Sequence, residues 1–328
     1  MHTFEITAGK PLRVLVTGAG GFIGAALVRR LSTFGADITA VARRPGRLDP
    51  EATSYHFVSC DLRSSEQIRA VVTAAQPQMV FHLAAHPDAA EDGKQTHAVI
   101  QHNIVGLSHL LDALVTLPAV SLIYGDSAKV YGNGTVPYRS DQALESLSSY
   151  AVSKETGWRL IDMYRRVHGL QAAGLRPTLV YGPGQSFNLF AYLINAVNSG
   201  REEIALDGGT QTRDPLFIDD VIDAFIAAAQ HIRRINGMNL PIGGNREMSV
   251  ADITRLTVNL LGGRQKVLVQ PSCVRPTETL RSWCDNAEAK ALLDWSPLVS
   301  FEEGILRTAG ISKPAAQPAL LVAQREVA

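Results

Sequence analysis

At 328 residues the chain is long enough for one large domain or two, with a sizeable core. Apolar residues make up 46% and charged residues 19%, and 31 basic residues balance 31 acidic ones, so the zero net charge excludes the electrostatic footprint of a nucleic-acid or anionic-membrane binder. Three scattered cysteines, Cys60, Cys273 and Cys284, match neither a disulfide framework nor a metal site; Met1 to Lys10 lacks the apolar core of a signal peptide, and no apolar run approaches a membrane span. The expectation is a soluble cytoplasmic protein.

Leu12, Val14, Leu15 and Val16 form an apolar, β-branched run, as a strand buried on both faces should. Thr17 to Gly24 then turns into a helix, with glycines at 18, 21 and 24. Glycine admits backbone angles closed to other residues and lets the main chain approach a phosphate. The helix opening near Phe22 and Ile23 aims unpaired N–H groups at that phosphate, so a dinucleotide is the natural occupant. Asp37 to Ala42 is a second strand. At its end, where a dinucleotide fold usually sets an acid against the adenosine ribose, stand Ala42, Arg43 and Arg44. Guanidinium groups bind a 2′-phosphate that an acid repels, so NADP is preferred, with NAD as the alternative.

Tyr55 to Cys60 is a third strand, followed by Asp61-Leu62-Arg63, where Asp61 is also able to cap a helix beginning near Ser64. Gln78 to Leu83 is a fourth, followed by Ala84, Ala85 and His86, small enough to pass close to a cofactor. His82, His86, His97 and His102 lack the supporting pattern of a metal site, and none is expected. A helical stripe runs from Thr96 to Leu117. Val120 to Tyr124 is a fifth strand, leading into Gly125-Asp126-Ser127 and placing the Ser127 hydroxyl at a strand's carboxyl end, where an α/β sheet keeps its ligand. Tyr150 and Lys154 lie four apart near the start of a helix reaching about His168, hence on one face of it. A phenol is a poor base until nearby positive charge lowers its pKa, which Lys154 and an oxidised nicotinamide would supply.

Gln171 to Leu179 is a sixth strand, passing into Tyr181-Gly182-Pro183-Gly184. Beyond it the strict alternation fades: a helix over Asn188 to Asn198, a short strand near Ile204, the run Arg213 to Val221, a return to the sheet at Asn239 to Gly244, and a helix over Ser249 to Leu261 capped by Ser249. The tail from Lys313 to Ala328, rich in alanine and proline, is expected to be mobile.

In combination, the glycine turn, the stretch His82-Leu83-Ala84-Ala85, the set Ser127, Tyr150 and Lys154, Leu175-Arg176-Pro177 with Tyr181-Gly182-Pro183-Gly184, and Arg213-Asp214 with Asp219-Asp220-Val221 resemble the extended short-chain dehydrogenase/reductase superfamily, in its branch of nucleotide-sugar epimerases, dehydratases and ketoreductases. The resemblance implies an α/β fold: a doubly wound parallel-sheet Rossmann domain over residues 11–183 and 213–244, with a smaller α/β substrate lobe over 184–212 and 245–312. It assigns Asp61 to the adenine amine, with Leu62, Leu83, Ala84 and Ala85 beside the cofactor and Asn103 as a buried brace. His86, Lys129, Asn188, Arg213, Arg275 and Arg281 are nominated for the sugar nucleotide, Arg213 for its phosphate. Dehydratases of the family carry threonine and an acid where Ala128 and Lys129 stand, which disfavours elimination of water. Between net 4-keto reduction with NADPH and epimerisation with a retained NAD, Arg43 and Arg44 tip the expectation slightly to reduction; a non-catalytic sensor is less expected, because Tyr150 and Lys154 are both kept. The family habit implies a homodimer. Gly125 and Asp126 depart from the serines usual before the catalytic one, leaving Asp126 either to raise the phenol's pKa or to contact substrate.

Overall fold

The structure, a computed structural model, describes residues 11–49, 51–87, 93–186, 188–270 and 277–311. The first half alternates strand and helix: β1 (Arg13–Thr17), α1 (Phe22–Ser32), β2 (Asp37–Ala42), β3 (His56–Ser59), α2 (Ser65–Ala75), β4 (Met79–His82), α3 (Thr96–Val99), a π-turn (Ile100–Val105), α4 (Gly106–Leu114), β5 (Ser121–Gly125), a 3₁₀ turn (Ala128–Tyr131), α5 (Ser149–His168) and β6 (Gln171–Pro177). There follow β7 (Leu179–Tyr181), α6 (Leu189–Asn198), β8 (Glu203–Asp207), β9 (Thr212–Arg213), β10 (Pro215–Phe217), α7 (Ile218–Gln230), β11 (Asn239–Ile242), β12 (Met248–Ser249), α8 (Val250–Leu260), β13 (Lys266–Gln270), α9 (Ala287–Leu293) and α10 (Phe301–Thr308).

Seven strands form one parallel sheet in the order β11-β6-β5-β4-β1-β2-β3. Strand β1 is its reversal point, since the chain leaves it for β2 on one side and returns to β4 on the other. In such sheets the ligand crevice opens beyond the carboxyl ends of the strands there. The apolar run of β1 is buried as expected, and its alternation divides the core. Val14 and Val16 pack into the cluster that holds Leu27, Leu31, Val221 and Phe225, whereas Leu15 packs with Ile68, Leu111 and Ile161 on the opposite face. Residues from Val14 to Ile305 share the first cluster, so the carboxyl-terminal segments complete the same core.

Three local outcomes differ from the sequence expectations. The sixth strand is broken: β6 stops at Pro177 and β7 leaves the large sheet to pair with β10. Proline lacks an N–H for the ladder, and Thr178 turns its hydroxyl to the Asp214 carbonyl at 2.6 Å. The stripe from Thr96 is interrupted by the π-turn, where Asn103 faces inward. Ser64, rather than Asp61, caps α2 by accepting from the Gln67 amide.

The rest of the chain makes three short pairs: β7 with β10, antiparallel β9 with β12, and β8 with β13. Asp220, at the start of α7, ties the closing segment to this frame. Its carboxylate accepts from the Leu298 and Val299 amides, and its carbonyl accepts from the Trp295 indole at 3.0 Å. The expected mobile tail lies outside the described residues. Among the described residues, no helix is long and apolar enough to cross a membrane.

Candidate active site

The glycine turn between β1 and α1 is a main-chain cradle. Gly18 has φ +71°, and a Cβ on it would lie 2.5 Å from the Ala84 nitrogen. Gly21 stands at the N-cap of α1, where no side chain accepts the helix's first N–H groups. Gly24 works from behind, since a Cβ there would lie 2.2 Å from the Gly18 carbonyl oxygen. The turn opens onto a cavity of about 630 Å³ at the reversal point of the sheet.

Of the residues expected to meet a cofactor, Gly18, Gly21, Arg43, Arg44, Asp61, Leu62, Leu83, Ala84 and Ala85 line this cavity, and so does His86, which was nominated for the substrate. Phe22, Ile23, Gly24, Asn103, Tyr150 and Lys154 are not among its walls. Gly20, Val41, Cys60 and His102 are walls that motif reading missed; only Gly20, within the glycine run, carried a signal for it. The glycine-lined floor and the uncapped helix start suit a dinucleotide. Asp61 carries both carboxylate oxygens against the Arg63 guanidinium, at 2.6 to 3.1 Å, which holds its pKa down to about 2. The Asn103 carboxamide accepts from the His86 amide at 2.6 Å and donates to the His86 carbonyl and to the Ser153 hydroxyl. That brace ties the loop after β4 to α5. Among the described residues no cluster of His, Cys, Asp or Glu is arranged to hold a metal.

Strand β5 and helix α5 bring Ser127, Tyr150 and Lys154 together. Ser148 caps α5 by accepting from the Ala151 amide, which fixes the turn that carries Tyr150. The Ser127 side chain faces the Tyr150 hydroxyl and works to lower its pKa. Lys154, only 3% exposed, donates its ammonium to the Gly125 carbonyl at 2.7 Å and lies 4.9 Å above the Tyr124 ring. Gly125 in turn sits against Leu83 of the cavity wall, since a Cβ on it would come within 2.8 Å of that side chain. The set is therefore one strand away from the cavity.

The electrostatics run against the simplest expectation. Burial, then the charge of Asp126, raise the Tyr150 phenol above its ordinary value; the Ser127 side chain pulls the other way. Burial lowers Lys154 to about 8, while Asp126 works to keep it charged. In the free protein Lys154 does not offset the burial that holds the Tyr150 phenol protonated. His82, buried and bonded to the Thr17 hydroxyl at 2.7 Å, is pushed down to about 3, first by burial and then by Lys154, and stays neutral.

The residues nominated for the sugar nucleotide fare unevenly. Lys129 is exposed beside Ser127. Asn188 caps α6, accepting from the Ala191 amide at 2.8 Å. Arg213 is held by Glu278 and by the Thr212 and Thr279 carbonyls. Arg281 makes a two-pronged pair with Glu247, at 2.6 and 2.7 Å. Arg275 lies outside the described residues. The side chain of Asp126 is fully buried, which removes it from contact with substrate.

Residues 14–243 match the model of the "NAD dependent epimerase/dehydratase family". The chain belongs to that family. Among its relatives, the UDP-glucose 4-epimerase of Mycolicibacterium smegmatis is 29% identical over 309 residues, covering 90% of this chain and 97% of the relative. The UDP-glucuronic acid 4-epimerase of Bacillus cereus, solved with UDP-glucuronic acid and NAD, superposes with a TM-score of 0.83 at 27% identity, covering 90% of this chain and 98% of that one. The UDP-glucose 4-epimerase of Thermotoga maritima, solved with UDP-glucose, has a TM-score of 0.83 at 25% identity, over 90% and 97%.

Proposed function

We propose that this protein interconverts the C4 epimers of a nucleoside-diphosphate hexose, with a nicotinamide dinucleotide retained through the cycle. The observation that carries the reading is the set Ser127, Tyr150 and Lys154 beside a glycine-lined cavity, in a chain similar over nine-tenths of its length to 4-epimerases of UDP-sugars. A bound nicotinamide supplies the acceptor and donor of hydride for C4. Tyr150 takes the proton of the 4-hydroxyl as C4 loses hydride and returns it to the same oxygen when the hydride comes back to the opposite face of C4, so the centre inverts with no net oxidation. Ser127 hydrogen-bonds that oxygen, and Lys154 supplies positive charge below the phenol. The slight lean of the sequence toward keto reduction gives way here, because the relatives are 4-epimerases of UDP-sugars that carry a hydroxyl, not a ketone, at C4. Ala128 and Lys129, in place of the threonine and acid of dehydratases, support epimerisation over loss of water.

The test is to supply UDP-glucose and UDP-glucuronic acid separately and follow inversion at C4 by proton NMR. The expected result is an equilibrium mixture of epimers from at least one of them, without net change in nicotinamide absorbance at 340 nm. Stoichiometric consumption of NADPH by a 4-keto sugar nucleotide, with no epimer formed, would instead favour reduction.

A second reading of the cofactor rests on the cavity wall, where Arg43 and Arg44 stand at the end of β2 without an acid to receive the ribose hydroxyls. These guanidinium groups favour NADP over the NAD bound by the Bacillus cereus structure. Replacing both by alanine is expected to weaken NADP binding about 10- to 100-fold and change NAD binding little, since a charge-assisted bond contributes roughly 1.5–3 kcal/mol. Equal losses for the two cofactors, by calorimetric titration, would remove the 2′-phosphate from the account.

A further inference from the structure

Among the described residues Asp126 is the acid buried beside Tyr150 and Lys154, and three neighbouring strands combine to hold it. Its amide continues the β5–β6 ladder by donating to the Leu175 carbonyl at 2.8 Å. One carboxylate oxygen accepts from Arg176 Nε at 2.9 Å and from Asn239 Nδ2 at 2.6 Å; the other is buried without a hydrogen-bond partner among the described residues. Arg176 is 4% exposed in its side chain, donates to the Tyr131 hydroxyl at 3.0 Å and lies 5.1 Å over the Tyr131 ring. Gly174, opposite Asn239 in the β6–β11 register, makes room for this arrangement, since a Cβ there would lie 2.5 Å from the Asn239 carboxamide. A buried ion pair contributes little net stability beside an apolar replacement, so stability alone does not explain its presence.

Its place in the chain does. The residue before Asp126 presents the carbonyl that grips the Lys154 ammonium, and the residue after it is Ser127, which faces Tyr150. We propose that the Asp126–Arg176 pair is a positioning device: clamped by Arg176 and Asn239, Asp126 fixes where Lys154 and Ser127 stand. Asp126 touches neither cofactor cavity nor substrate; it acts through its two chain neighbours and through its charge. The groups facing the pair from the surrounding elements are Tyr124 of β5 and His82 of β4, both uncharged, with Tyr131 of the 3₁₀ turn and Arg176 of β6 beyond Asp126. Among these the only anion is Asp126. Its charge opposes loss of the proton from both Tyr150 and Lys154.

The inference rests on the reading of Tyr150 and Lys154 as the catalytic pair, and its test separates the two. In the full-length protein, Asp126→Asn removes the anion while leaving the Arg176 cation; Asp126→Asn/Arg176→Gln removes both charges and spares the fold an unpaired buried guanidinium. Calorimetric titration with NAD⁺, in two buffers of different ionisation enthalpy, counts the protons released as the cationic ring arrives. The pH of half-release is expected to fall by about one unit in Asp126→Asn and in the same direction by less in the double variant. The acid limb of kcat/KM for epimerisation is expected to move with it, with kcat reduced about tenfold, a loss of roughly 1.4 kcal/mol in barrier lowering, and KM for the sugar nucleotide little changed. Should Asp126→Asn fail to fold, the double variant decides alone. A folded variant whose proton release keeps the wild-type midpoint overturns the inference. An unaltered protein that turns over no sugar nucleotide overturns the proposed function instead, and leaves the proton count to decide this point.

Discussion

Tyr150→Phe is expected to reduce turnover about 10²- to 10⁴-fold while leaving cofactor binding within a few-fold of the parent. The substitution removes one oxygen and keeps the ring, so the contact between α5 and the active-site loops is preserved. What it deletes is the group that, on the proposed function, takes the proton from the sugar hydroxyl, together with its contact to Ser127. The stability cost should be near 1 kcal/mol, because Ser127 is only half-buried and water replaces the lost partner. Three measurements on the same preparation separate the possibilities: C4 inversion by NMR, cofactor titration and thermal unfolding. Full turnover in a folded Tyr150→Phe protein would refute the assignment of Tyr150, and lost turnover accompanied by lost cofactor binding would make the residue structural.

Gly24→Ala is expected to weaken cofactor binding through the backbone alone. A Cβ at this position would stand 2.2 Å from the Gly18 oxygen, 2.8 Å from the Gly18 carbonyl carbon and 2.9 Å from the Ala19 Cα, all of them main-chain or Cα atoms with no flexible end to give way. Either α1 slides or the turn at Gly18 moves, and Gly18 is already held against Ala84. Forcing a methyl group into such packing costs about 1–3 kcal/mol. The same displacement distorts the cavity floor, so cofactor affinity should fall about 10- to 100-fold, at 1.4 kcal/mol per factor of ten. Gly35→Ala is the matched control. Gly35 also has a positive φ, +70°, but nothing lies within 4 Å of its would-be Cβ and it is not a wall of the cavity. It should lose stability from backbone strain and keep its cofactor. Equal cofactor affinity in Gly24→Ala and the parent, by calorimetry, would show that the close contact behind the turn does not govern the site.

These two expectations draw on different kinds of information. That Tyr150 and Lys154 share a helix face follows from their spacing, because four residues along a helix complete about one turn. That β1 is buried on both sides, and that a glycine turn follows it, is written in Val14 to Val16 and in Gly18, Gly21 and Gly24, because strand burial and positive φ are local requirements of the chain. The parallel sheet with its helices was legible for the same reason: each strand is a short apolar run, and each helix carries a stripe.

Asp126 marks where local reading stops. In sequence it is an acid beside the catalytic serine, equally suited to touching substrate or tuning the phenol. Its full burial and its bonds to Arg176 and Asn239 come from β5, β6 and β11 lying side by side, 50 and 113 residues apart in the chain. The same holds for Arg213 and Arg281, whose partners Glu278 and Glu247 lie 65 and 34 residues away. The break between β6 and β7 and the π-turn at Asn103 likewise depend on distant partners, Asp214 and Ser153. The sequence by itself determined most of the elements, the glycine turn and the shared helix face of Tyr150 and Lys154, since these depend on hydrophobic period and backbone freedom. The tertiary structure alone decided which charges are paired, which polar groups are buried and how strongly Tyr150 and Lys154 hold their protons, because desolvation and Coulomb terms depend on neighbours through space rather than along the chain.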